Sequence, residues 1–425
     1  MRRKLNTTLG FYSPSFLRMH VGTKSNLTNL NSINDDFTES VYLHEYLHFI
    51  QDLTTNYGLS NICIIVDYLK FVNNHLIKQT KGKFAVPILP IPNAPDNVHA
   101  NLEFSTIYNG NGDDDVVILI GHRKLNTTVT ANLTTKTVPY IQVDYKSGSG
   151  NIDNFEFGAL CIVENMAFII ESECYPNCEP SPDIPYRSAE KLVELIFPIF
   201  GSNRLNVLAL CDASLKTFHP GPFFYDTLIY IRDNNIPITK PEDVYDICNQ
   251  QVINFNGIKD FNSLLNSMKN EAISQINGYF NDPQFNPIKQ WLEKMISSAV
   301  DYRISNEKFP LSIARQGKFS TNKALADFMS KVGTPLVTND IPETTLFDPH
   351  IGATTPNYAT IWAIEQIHSV LWGCQSDCEL LDFCKSCNIK TDARCINEPW
   401  ERNLETMCAF GQMWRHWGLT GYKPA

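Results

Sequence analysis

Two imidazoles and a carboxylate set the first question. Residues 41–52 read VYLHEYLHFIQD, with His44 and His48 four apart and Glu45 beside the first. In an α-helix, positions i and i+4 share a face, so both imidazoles can point at one ion. Glu45 is rotated by about 100° from His44, which puts its carboxylate beside such an ion rather than on it. Zinc held by imidazole lowers the pKa of a bound water towards neutrality, and a neighbouring glutamate can take the proton. That is the mechanical content of H-E-x-x-H on a helix. The same spacing also suits two packed core histidines, provided that backbone or carboxylate partners satisfy them.

The chemistry requires a helix, and the flanking residues predict one. Asp36 and Glu39 have capping-box spacing and Gly58 is a natural stop, so one helix is expected over 37–57. Ser60 is the expected cap of the next helix, NICIIVDYLKFVNNHLI. Val41, His44, His48 and Gln51 form one stripe. Leu43, Tyr46, Leu47, Phe49 and Ile50 make the rest almost wholly apolar, the pattern of a buried helix. A catalytic zinc needs a third protein ligand and an open fourth position. Positions 51 and 54 are Gln and Thr, so the extended HExxHxxGxxH pattern is absent and that ligand must come from elsewhere. GALCIVENMAFIIES (158–172) reads as a helix apolar on nearly every side, yet it holds Glu164 and Glu171, seven apart and on one face. A carboxylate in such a helix is costly unless paired or metal-bound. Glu164 is therefore the expected third ligand, with Glu171 or Glu173 as substitutes. Glu171 is also the expected partner that orients a ligand histidine.

HEYLH, together with the helix that carries VENMAF, resembles the zinc metallopeptidases of the gluzincin type. HEYLHFIQ is also similar to uncharacterised bacterial and phage-linked proteins with an HEYxHxxQ motif. The likeness covers two short helices. It implies that His44, His48 and Glu164 bind Zn2+ and that Glu45 is the general base. The implied activity is hydrolysis of peptide bonds in a protein or peptide substrate. The chain departs from thermolysin-like enzymes in two ways. The gap from His48 to Glu164 is longer, and Phe168 stands where they carry an acidic residue. Hydrolysis also needs a donor for the developing oxyanion. Zincins often draw it from a later Tyr or His. His219, in KTFHPGPFFYD, is the leading candidate, with Tyr225, His350 and Tyr358 behind it. Two other readings share the motif: a zinc hydrolase of small-molecule amides or esters, and a metal-stabilised binding protein without catalysis.

WGCQSDCELLDFCKSCN places Cys374, Cys378, Cys384 and Cys387 in a C-x3-C-x5-C-x2-C array. Pairs two to four residues apart suit tetrahedral zinc, so a second, structural Zn2+ is a possibility here. Cys395 or Cys408 can replace one member, and an iron–sulfur cluster would also use four thiolates. The chain has twelve cysteines, and MRRKLNTTLGFYSPSF starts basic with no apolar region after it. No secretory signal is expected, which favours thiols in the reducing cytoplasm. No run of 18 apolar residues predicts a membrane span.

The remaining texture bounds the fold. The chain of 425 residues is long enough for two to three domains, and 43% hydrophobic with 19% charged residues is a globular composition. A net charge of −10 without a Lys/Arg-rich run argues against nucleic-acid binding. Four prolines interrupt FAVPILPIPNAPD. VVILIGH (116–122) and TVPYIQVDY (137–145) read as strands, whose open edges suit pairing with an extended substrate. The expectation is an α+β fold, predominantly helical. A zincin-like core with the active-site helix and a small sheet occupies 1–180, a helical domain 181–372, and a Cys-rich segment 373–425. Oligomeric state is not legible.

Overall fold

The first helix starts and stops on different residues from those expected. Asp35 is its cap: the side chain accepts from Thr38 N at 2.7 Å, and α1 runs Asp36–Thr54. Thr55 is extended, and its hydroxyl accepts from Gly58 N at 3.0 Å, so Thr55 caps the next helix, α2 (Asn56–Leu76). Gly58 is thus in the first turn of α2 and Ser60 lies inside it. Glycine is needed at 58 for close approach rather than for a stop, since a Cβ there would sit 2.2 Å from Asp52 O. Leu43, Tyr46, Leu47, Phe49 and Leu53 of α1 are fully buried, as the apolar surround requires.

The computed structural model describes residues 9–27, 33, 35–131, 133–177, 181–251, 255, 257–280, 282–341, 344–350, 357–374, 378–402 and 408–425. Part of the proline-rich link, 178–180, lies outside them. The described strands are β1 (Gly10–Ser13), β2 (Arg18–Val21), β3 (Lys83–Phe84), β4 (Val117–Ala131), β5 (Thr134–Ser147), β6 (Ile152–Phe157), β7 (Leu336–Asn339), β8 (Thr344–Thr345) and β9 (Lys423–Pro424). Helices predominate, and the fold is α+β.

One sheet has the order β1-β2-β7-β8. β2 runs parallel to β7, with Arg18 opposite Leu336, so a strand from the start of the chain pairs with one more than 300 residues on. β1 lies on α1, tied there by Tyr12 Oη donating to Asp52 Oδ2 at 3.1 Å. The second sheet, β4-β5-β6, is a long antiparallel hairpin with one added strand. The strands expected at 116–122 and 137–145 belong to it and are longer than predicted. Before it comes a helix the proline-rich texture hid, α3 (Asp96–Asn109). Phe104 and Tyr108 of α3 pack with Val129 and Val138 of the hairpin. The edge of β4 is engaged at its start. Asp183 accepts from Val117 N at 2.9 Å, and Lys191 Nζ donates to Val117 O at 3.0 Å. That part of the edge is therefore closed to an extended substrate.

The helix α4 (Ala159–Cys174) follows β6 and packs across α1. One apolar cluster runs from Tyr12 to Tyr422 and crosses the divisions expected at 180 and 372. Among the described residues, no helix is long and apolar enough to cross a membrane.

Candidate metal centre

The α1–α4 crossing brings the chemical residues together. His44 Nε2 lies 3.2 Å and His48 Nε2 lies 3.3 Å from one oxygen, Glu164 Oε2. Ligand atoms of the three residues fall within 4.8 Å of one another, and among the described residues no other His, Cys, Asp or Glu group does so. Glu164 is 1% exposed and His44 is 8% exposed, so the site is buried rather than a solvated acidic patch.

The outer nitrogens decide the protonation. His44 Nδ1 meets Glu171 Oε2 at 2.8 Å, and a carboxylate only accepts. His48 Nδ1 meets Gln51 Oε1 at 2.8 Å. The Gln51 amide is oriented because its Nε2 donates to Val163 O at 3.0 Å. Both rings therefore carry hydrogen on Nδ1, and both Nε2 lone pairs face the Glu164 carboxylate. Three acceptors converge with no donor among them unless a proton or a cation is shared. Electrostatics follow from that. Burial opposes charge on all three groups, yet Glu164 and Glu171 raise His44 well above its ordinary value, and Glu164 raises His48. Burial also works against the Glu164 carboxylate, but the two imidazoles win and hold it down at about 2.

The set fits zinc. Two imidazole nitrogens and a carboxylate oxygen are ordinary zinc donors, and bonds of about 2.0 Å to a tetrahedral ion leave ligand atoms about 3.3 Å apart. Both histidine-to-Glu164 separations match that edge.

Glu45 is buried beside this trio, and burial pushes its carboxyl up to about 7 against the pull of His44 and His48. β1 crosses it closely: a Cβ on Gly10 would lie 3.3 Å from Glu45 Cγ. Tyr186 closes another side, its ring 5.7 Å from that of His44. Burial and the carboxylates of Glu164, Glu45 and Glu171 push the Tyr186 phenol up, so it stays an O–H donor.

Tyr186 was not legible, because it sits in a proline-rich link without a motif. Gln51 was visible only as a member of the histidine stripe, although its i+3 spacing from His48 was the signal. His219 is elsewhere. It precedes the helix Pro220–Asp233, stacks on Tyr108 with ring centroids 4.1 Å apart, and is lowered to about 3 by burial and Lys124. No described contact joins it to the trio, so the oxyanion role expected of it has no geometric support. Tyr225 bonds His122 at 2.9 Å, His350 bonds Ser298 and Lys331 O, and Tyr358 donates to Asp348. Phe168 packs under the Arg204 guanidinium, and Glu173 pairs with Arg204 at 3.4 Å. The ligand atoms of the expected quartet Cys374, Cys378, Cys384 and Cys387 do not lie within 4.8 Å of one another. Cys378 and Cys384 are buried, Cys374 is half-buried and Cys387 is exposed.

No family model, curated protein or solved structure matches the chain.

Proposed function

We propose that this chain is a zinc-dependent peptidase in which His44, His48 and Glu164 hold the ion and Glu45 is the general base. The observation that carries the reading is the pair of pinned Nδ1–H groups, which leave two Nε2 lone pairs and a carboxylate aimed at one point. Bound zinc would supply a Lewis acid that polarises a carbonyl and acidifies water.

The chain's own groups do the rest. Glu45 takes the proton of the attacking water. Its carboxyl, lifted towards neutrality, is matched to holding that proton and passing it to the leaving amine. Tyr186 O–H donates to the oxygen that gains negative charge. Glu171 and Gln51 keep the ligand rings from turning. The choice of peptide over a small amide or ester rests on the likeness of HEYLH and VENMAF to the gluzincins, whose ligand helices α1 and α4 would match.

The test is metal content and turnover together. His48→Ala should hold one zinc equivalent less than wild type. Glu45→Gln should keep that zinc and lose about 100- to 10,000-fold in cleavage of a quenched peptide library. Equal zinc in wild type and His48→Ala removes the metal from this site. Undiminished turnover in Glu45→Gln removes the base. Cleavage of small ester or amide panels with no peptide cleavage would move the substrate class and leave the centre standing.

A further inference from the structure

The C-terminal cysteines sort into two kinds, and the sorting differs from the spacing in the sequence. Cys378, Cys384, Cys395 and Cys408 are buried, between 4% and 6% exposed, while Cys374 and Cys387 face outwards to different degrees. The buried four come from separate pieces of chain: the turn before the helix Leu381–Ser386, that helix itself, the helix Arg394–Asn397, and the cap of the helix Ala409–His416. They are neighbours in space. Cys378 N donates to Cys395 O at 3.3 Å. The Cys384 and Cys408 thiols lie within interaction distance of each other, and Cys378 lies within electrostatic reach of Cys384, Cys395 and Cys408.

We infer that Cys378, Cys384, Cys395 and Cys408 form a structural site for one zinc ion, in a C-x5-C-x10-C-x12-C pattern.

A second observation points the same way. Arg402 is buried beside Cys408, and its Nη1 has no hydrogen-bond partner among the described residues. A buried guanidinium N–H without an acceptor is costly. Four thiolates on Zn2+ carry a net charge of −2 and accept N–H···S bonds, so the metal site supplies what Arg402 lacks. The segment also needs a staple. Its helices before 409 are six residues or shorter, too small to hold themselves. The four sulfurs do not close within 4.8 Å as the histidine site does. Binding therefore draws these short pieces together, with one proton leaving each thiol, as metal uptake coupled to folding requires.

The experiment uses the full chain carrying His48→Ala, which separates this site from the hydrolytic one. Zinc per chain should remain at one equivalent. Cys384→Ser or Cys408→Ser should remove it, and Cys374→Ser or Cys387→Ser should not. Mercurial titration of the His48→Ala protein should release the zinc in step with four thiols, a readout that needs no folded cysteine variant. Cobalt(II) in its place should show intense thiolate-to-metal bands. A His48→Ala protein that holds no zinc after zinc-replete preparation, with the four thiols alkylated as fast as Cys387, overturns the site. So does iron with acid-labile sulfide, or a Cys384–Cys408 disulfide in freshly isolated protein. None of these outcomes touches zinc bound by His44, His48 and Glu164.

Discussion

Two of the places where the molecule buries charge are built on opposite rules. Near the end of α1, Thr54, Thr55 and Asn56 border a cluster that includes Arg303, Lys216 and Glu307. There, opposite charges are paired. Asp212 accepts from Tyr245 Oη at 2.6 Å and from Arg303 Nη2 at 2.8 Å, and Lys216 pairs with Glu307. Two turns back along α1, His44, His48 and Glu164 aim acceptors at acceptors. The first cluster balances its charges from its own side chains. The second balances only with protons or a cation from outside. Burial of charge is thus not itself a sign of a site; a mismatch that the fold has fixed in place is.

The largest test of this contrast is Asp212→Ala. It leaves Arg303 buried without its carboxylate and should cost about 3–5 kcal/mol in urea unfolding while zinc content stays the same. Loss of zinc along with stability would mean that the two clusters are one unit. Gln51→Leu and Glu171→Leu should act in the opposite sense. Each frees one imidazole to change tautomer and should weaken zinc by about 10- to 100-fold in chelator competition, with little change in unfolding. Unchanged affinity would show that the Nδ1 contacts do not set the ligand rings.

The subtlest test is Glu164→Gln in metal-free protein. Raised histidine pKa values stabilise the fold fully below the ordinary 6.5, and that stabilisation is lost as pH rises through the folded values. The lowered Glu164 value works above 4.5 and is lost as pH falls towards about 2. Wild type should therefore hold its advantage over Glu164→Gln between those ordinary values. Once pH passes the raised histidine values the order should reverse by about 1 kcal/mol, because a glutamine N–H can donate to a bare Nε2. Parallel stability curves from pH 5 to 9 would contradict the lone-pair assignment.

Much of the histidine site was legible because its logic is local. Helical spacing alone put His44 and His48 on one face, and the apolar run around Glu164 marked a carboxylate out of place. Asp212 sits in a similarly apolar run, NVLALCDASL, and the Arg303 across from it tells the two apart. Sequence patterns record what a residue is and not who faces it. The same limit hid Tyr186, whose role comes from where the link folds back over His44. It hid the β1-β2-β7-β8 sheet, whose strands are four residues or shorter and pair across most of the chain. It misassigned Gly58, which resembles a helix stop until Asp52 is seen pressed against it. Cysteine spacing was likewise a poor guide to which thiols point inward.

The parallel pairing of β2 with β7 has a consequence in time. Synthesis delivers the His44–Glu45–His48 helix early, but the strand that completes the sheet beside it includes Leu336–Asn339. Contacts this distant in sequence form slowly, and a growing chain cannot form them at all until the far strand has emerged. The proposed catalytic centre would then mature only after residues 336–339 have been made. Such a delay would keep the proposed water-activating helix unfinished while the unfolded polypeptide nearest to it is its own.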